Sequence, residues 1–139
     1  MAIAEESTPL QLSIADTSRF REGRITVRFR NEGNEPVRIP DEINDETADY
    51  FFVTVLRTER GDVRILNREI GTMTFQRPLN YRELAPGQEY SVTIPVCLDE
   101  VDLEGWKQCS CELETRYYNQ QGKDCFLGVL RATARLTLQ

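Results

Sequence analysis

The sequence predicts an all-β fold: a single antiparallel β-sandwich of about eight or nine strands. Three observations carry this. Apolar and polar residues alternate along most of the chain, as in ITVRFR (25–30) and YSVTIPV (90–96), the period expected of strands with one buried face. Turn-forming groups such as NEGNEP, ERGD, APGQ and NQQGKD separate these runs at intervals of about eight to twelve residues. Helical periodicity is nearly absent, and DEVDLEGW (99–106) has room for at most one helical turn.

Residues 1–9 read as a flexible N-terminus and 10–139 as the domain. Leu10, Leu12 and Ile14 mark a first strand, Ile25, Val27 and Phe29 a second, and Val37 and Ile39 a third that Pro40 shortens. YFFVTVLR (50–57) is apolar on both faces at its start, as a strand covered on both sides would be. ERGD turns it into VRIL, and TMTFQ (72–76) follows as a short strand. In LNYRELAPGQEYSVTIPV, Pro86-Gly87 supplies a turn, and Tyr90, Val92, Ile94 and Val96 share one face. CSCELETRYY and CFLGVLRATARLTL form a last pair of strands.

Asn31, Gly33 and Pro36 form an N-x-G-x-x-P turn after an alternating run, and Leu84, Pro86 and Gly87 form an L-x-P-G turn before another. This pattern resembles bacterial immunoglobulin-like domains, over Leu10 to Leu138. The resemblance implies an immunoglobulin-like sandwich. It carries fold rather than activity, since adhesion-type repeats and the bacterial intracellular proteinase-inhibitor family share the pattern. The chain departs from antibody-type domains: no Cys lies in the Arg24–Arg30 run, and the single Trp, Trp106, sits in a late loop.

With no His among 139 residues, Ser-His-Asp and Cys-His catalysis, zinc-protease helices and two-His iron sites are excluded. No Gly-rich loop joins a strand to a helix, so phosphate-binding motifs are absent. The expectation is a protein that is not an enzyme and takes no cofactor. The net charge of −6 opposes nucleic acid and anionic membranes as main partners. No apolar run is long enough to span a bilayer, which argues against membrane insertion. MAIAEESTPL lacks a basic and an apolar leader segment, which favours a cytoplasmic location, or an extracytoplasmic one if a leader has been removed.

The four cysteines allow several readings: metal thiolates, disulfides or core residues. A turn centred at Gln121-Gly122 sets Tyr118 opposite Cys125, Cys111 opposite Ala132 and Cys109 opposite Ala134. Cys109, Cys111, Leu113 and Tyr117 then share a face with Phe126, Leu130, Ala132 and Ala134. Cys125 falls ~24 Å from Cys109, which disfavours a four-cysteine zinc site. Cys97 lies near Cys109 and Cys111, so these three could form a disulfide in an oxidising compartment; in a reducing one they are core residues.

Two acidic stretches, DEINDETAD (41–49) and DEVDLE (99–104), are either solvated loops or calcium-type oxygen donors. Their residues Asp41, Glu42, Asp45, Glu46, Asp49, Asp99, Glu100 and Asp102, with Trp106, are the candidate partner-binding residues, although a core plug is the expected reading of Trp106 and an exposed anchor the alternative. Fifteen of the seventeen basic residues are Arg. Arg24, Arg28, Arg30, Arg131 and Arg135 alternate with apolar residues and face outward, either pairing with outward Glu112 and Glu114 or forming a binding face. The expected function is a non-catalytic interaction module with a protein partner. The alternatives are a proteinase inhibitor presenting the loop Asn67 to Asn80, and a domain stabilised by calcium or zinc. Oligomeric state is left open.

Overall fold

The computed structural model describes residues 9–41, 43–67, 80–119 and 125–138. Nine strands lie among them: β1 (Leu10–Asp16), β2 (Arg24–Asn31), β3 (Val37–Pro40), β4 (Phe52–Thr58), β5 (Val63–Ile65), β6 (Tyr81–Leu84), β7 (Glu89–Pro95), β8 (Ser110–Asn119) and β9 (Gly128–Thr137). They form three sheets in the orders β1-β2-β7, β3-β6 and β5-β4-β8-β9, and every pairing is antiparallel. The all-β expectation is met. No helix among the described residues is long and apolar enough to cross a membrane. The expected strand at 72–76 lies outside the described residues.

Alternation places one face of each larger sheet in the core. Leu10, Leu12, Ile25, Val27, Phe29 and Ile94 come from the three-stranded sheet, and Phe52, Leu56, Leu113, Tyr117, Leu130 and Ala132 from the four-stranded one; all are buried. The two layers meet at their aromatics. Phe29 points edge-on at Tyr117 with ring centroids 5.0 Å apart and an interplanar angle of 83°, the geometry that ring quadrupoles favour. Phe52, paired with Tyr117 across β4 and β8, lies 5.4 Å from it. Truncating such a buried ring to alanine costs about 3–5 kcal/mol.

The two turn motifs singled out in the sequence form one junction. β2 and β3 are successive pieces of one run of chain, as are β6 and β7, and both runs break at the same level. Asn31, fully buried, holds the break: its Nδ2 donates to the carbonyls of Glu35 (2.7 Å) and Leu84 (2.9 Å), and its Oδ1 accepts from the Gly33 amide at 2.9 Å. The Gly87 amide, where φ is +82°, donates 2.7 Å to the Asn31 carbonyl. Asn suits this position because its amide both donates and accepts.

Two expectations need correction. Tyr50 and Phe51 belong to a one-turn helix, α1 (Ala48–Phe51), rather than to a strand covered on both sides. The Asn44 side chain accepts the Glu46 and Thr47 amides and starts this turn. Phe51 and Phe52 are both buried because the chain changes direction between them, and β4 then alternates normally.

The second correction concerns the last hairpin. Its register is Cys111↔Leu136, Leu113↔Ala134, Tyr117↔Leu130 and Tyr118↔Val129, four residues from the expected one. The connection is long rather than a tight turn: the Phe126 amide leaves the hairpin to donate to the Arg38 carbonyl of β3, and the Asn119 amide holds the Phe126 carbonyl. Since four is even, face membership survives the shift. Residues 99–106 make hydrogen-bonded turns, including Trp106 N to Asp102 O at 2.8 Å, without becoming a helix.

Candidate functional site: the outer face of the four-stranded sheet

Four of the eight acidic residues expected to bind a partner are engaged within the fold. Asp41 pairs with Arg82 at 2.8 Å. Asp45 takes both terminal nitrogens of Arg24, at 3.0 and 2.7 Å. Asp49 accepts from Asn67 at 3.0 Å. Asp102 folds its own turn, accepting the Gly105 amide at 2.8 Å, and a Cβ on Gly105 would lie 2.1 Å from the Asp102 carboxylate. Glu46, Asp99 and Glu100 are exposed, whereas Glu42 lies outside the described residues. Among the described residues no three acidic or thiol side chains converge as a metal site.

Trp106 is a core residue, 7% exposed, with the Arg64 guanidinium 5.3 Å above its ring. All four thiols are free, with Cys109 and Cys111 buried and Cys97 and Cys125 half-buried. Burial pushes the Cys111 thiol up, with a smaller contribution from Cys109. Cys125, held by the Asn119 amide at 3.6 Å, remains at the opposite end of β8 from Cys111, roughly 27 Å away at ~3.4 Å per residue. The loop Asn67 to Asn80 lies, apart from its two end residues, outside the described residues. At its start Asn67 is tied to Thr54, Asp49 and Phe52.

The outer faces of the two larger sheets differ sharply. On the three-stranded sheet Arg28 and Arg30 pair with Glu89, Arg30 also with Glu32, and Arg24 with Asp45. Their neighbours are Thr26, Ser91 and Thr93, with Thr26 and Thr93 bonded to each other at 3.0 Å. These arginines do not reach Glu112 or Glu114, which stand on the other sheet. Three cations meet three anions there, with a fourth carboxylate, Asp16, across from Thr26, and among the described residues no large apolar side chain is exposed on that face.

Register assembles the outer face of the four-stranded sheet in rows. Val63, Arg57, Glu112 and Arg135 form one; Ile65, Val55, Glu114 and Thr133 the next; Val53, Arg116 and Arg131 the third; Tyr118 and Val129 the last. At its centre Glu114 is only 1% exposed although it points away from the core. Three guanidinium groups cover it: Arg131 Nε donates to Oε2, Arg116 Nε lies 3.2 Å from Oε1, and Arg57 lies 3.7 Å from Oε1. Their own side chains stay 41%, 44% and 60% exposed for Arg57, Arg116 and Arg131. A buried carboxylate is tolerated where charge partners saturate its lone pairs, and here it fixes three otherwise flexible cations in a fan. The Tyr118 hydroxyl, followed by Glu114, raises the Arg116 pKa.

Apolar side chains flank the fan. Val63 and Ile65 are 51% and 47% exposed on the β5 side, and Val129 is 51% exposed on the β9 side, two residues after Leu127 at 52%. Sequence reading placed Arg131, Glu112 and Glu114 outward but missed Arg57, Arg116 and the apolar flanks. Outward alternation in VTVLR and ELETR was the available signal; their convergence needed the register. Compared with known protein families and with curated proteins, the chain matches no family model and no curated sequence.

Proposed function

We propose that the protein is a non-catalytic interaction module, an immunoglobulin-like sandwich whose partner is another protein, and that it binds through the outer face of β5-β4-β8-β9. The observation that carries this reading is the apolar flank: Val63, Ile65 and Val129 stand about half exposed on one sheet face around a held cluster of arginines. Exposed apolar patches of this kind mark interaction surfaces, and Arg is enriched where binding energy concentrates. The absence of His from the sequence supports a role without catalysis. The acidic loops serve this reading as supports of the fold, since Asp41, Asp45, Asp49 and Asp102 are engaged internally.

The test compares proteins retained from the native host by the wild-type chain, by Ile65→Asp and by Thr93→Asp, the last on the opposite sheet. Loss of the retained partner with Ile65→Asp alone is the expected result. Equal retention by all three would remove the face from consideration.

A further inference from the structure

We infer that the partner docks an acidic, extended protein segment on this face, carboxylates over the arginine fan and an aliphatic side chain against Val63 and Ile65; the inference rests on reading the face as an interaction surface. Charge complementarity is the argument. The face carries four cations, Arg57, Arg116, Arg131 and Arg135, against two anions, Glu112 and Glu114. On the opposite sheet Arg24, Arg28 and Arg30 face Glu32, Asp45, Glu89 and Asp16, so cations do not outnumber anions. Arg135 stands across from Glu112 yet makes no ion pair among the described residues.

The arginines over Glu114 also retain unspent donors. Arg131 meets Glu114 through Nε, which leaves its terminal nitrogens for another acceptor, whereas Arg116, 3.2 Å from Glu114 through Nε, is held by the Tyr118 hydroxyl as well. A guanidinium has five N–H groups and engages a carboxylate with two in parallel. Glu114 therefore positions the guanidinium groups without exhausting them, and a second carboxylate can be accepted from solvent at little ordering cost.

The rest of the molecule sharpens the preference. In a chain of net charge −6 an acidic partner is repelled by the averaged surface and favoured only where positive charge is concentrated, which orients the encounter. A nucleic acid would meet the same repulsion with a far denser charge, and it has no use for aliphatic side chains standing at both flanks. An acidic protein segment satisfies both features.

The probes are three acetylated 12-residue peptides with identical Val and Ile positions and with four Glu, four Gln or four Lys at the rest, plus a 12-nucleotide oligothymidylate, each titrated into the ¹⁵N-labelled protein. The Glu peptide is expected to shift amides of β4, β5, β8 and β9, to weaken at least tenfold between 50 and 300 mM NaCl as screening grows (roughly the loss of two to three exposed contacts), and to weaken about threefold in Arg135→Ala, which breaks no ion pair. The Gln peptide should bind at least about fivefold more weakly. Equal binding of the Gln and Glu peptides at this face would overturn the acidic-partner inference and leave the interaction face standing. No shift with the Glu peptide, or shifts confined to another surface, would overturn it as well. Tighter binding of oligothymidylate than of the Glu peptide at the same amides would assign the face to nucleic acid instead.

Discussion

Glu114 of β8 and Arg131 of β9 are joined by a hydrogen bond from Nε to Oε2, between a carboxylate that is 1% exposed and a guanidinium side chain that is 60% exposed. The burial of one and the exposure of the other set the outer face of the four-stranded sheet apart from that of the three-stranded sheet. A charge that would ordinarily stand in water is roofed over by cations that themselves remain in water.

Removing the carboxylate should therefore cost more than removing any one cation. Glu114→Ala removes the carboxylate that Arg57, Arg116 and Arg131 share, leaving Arg57 only Glu112 at 4.0 Å and Arg116 the Tyr118 hydroxyl, and a loss of about 2 kcal/mol is expected. Arg131→Ala leaves two partners in place and should cost less than about 1 kcal/mol. Urea unfolding of the two variants checks the order; equal losses would mean that the fan is not organised by Glu114.

Asn31→Asp should be nearly as damaging as Asn31→Ala. The shape is kept, but a carboxylate cannot donate to the Glu35 and Leu84 carbonyls that the Asn31 amide now satisfies, and it would place a charge at a fully buried position. A loss of about 3 kcal/mol is expected from either change, read from the midpoint of chemical denaturation.

Tyr117 makes stability fall at high pH. Its hydroxyl is buried and makes no well-formed hydrogen bond among the described residues; burial first, then the proximity of Cys125 and Tyr81, pushes its pKa well up, and the nearby Asn119 side chain opposes this. In the unfolded chain the phenol ionises near pH 10 while the folded protein keeps it neutral, so the folded state binds more protons. Stability is then full below about pH 10 and declines above it by about 1.4 kcal/mol per pH unit. Tyr117→Phe should flatten this decline and, by deleting a hydroxyl that makes no well-formed hydrogen bond, leave stability at neutral pH unchanged or slightly raised. Thermal melts from pH 7 to 11 on both proteins test it.

Thiol titration separates the readings of the cysteines. Cys97 and Cys125 should react promptly in the native protein, and Cys109 and Cys111 slowly, because both are buried and burial raises the Cys111 pKa. Four thiols should be counted after unfolding. A count of two would show a disulfide among Cys97, Cys109 and Cys111.

Strand positions were legible because alternation is enforced wherever one face is buried. Leu10, Phe29, Ile94 and Leu113 all fall where the period of two places them. The register of the last hairpin was not legible, because it depends on the Phe126 amide reaching Arg38 on another strand, a contact distant in sequence. The helix at 48–51 was hidden for a similar reason: Asn44 acts through side-chain bonds to Glu46 and Thr47, while the FF pair that follows satisfies a buried strand equally well. For the candidate site, alternation showed Glu114 pointing outward. Its burial arises from three long side chains on three strands, which only the assembled sheet brings together.

Photocrosslinking reads out which sheet face a partner covers. A benzophenone side chain placed at Ile65, at Val129, or at Ser13 on the opposite sheet would be activated in the native host. A shared protein adduct from Ile65 and Val129 and none from Ser13 is expected. An adduct from Ser13 with none from the other two would contradict binding through the outer face of the four-stranded sheet.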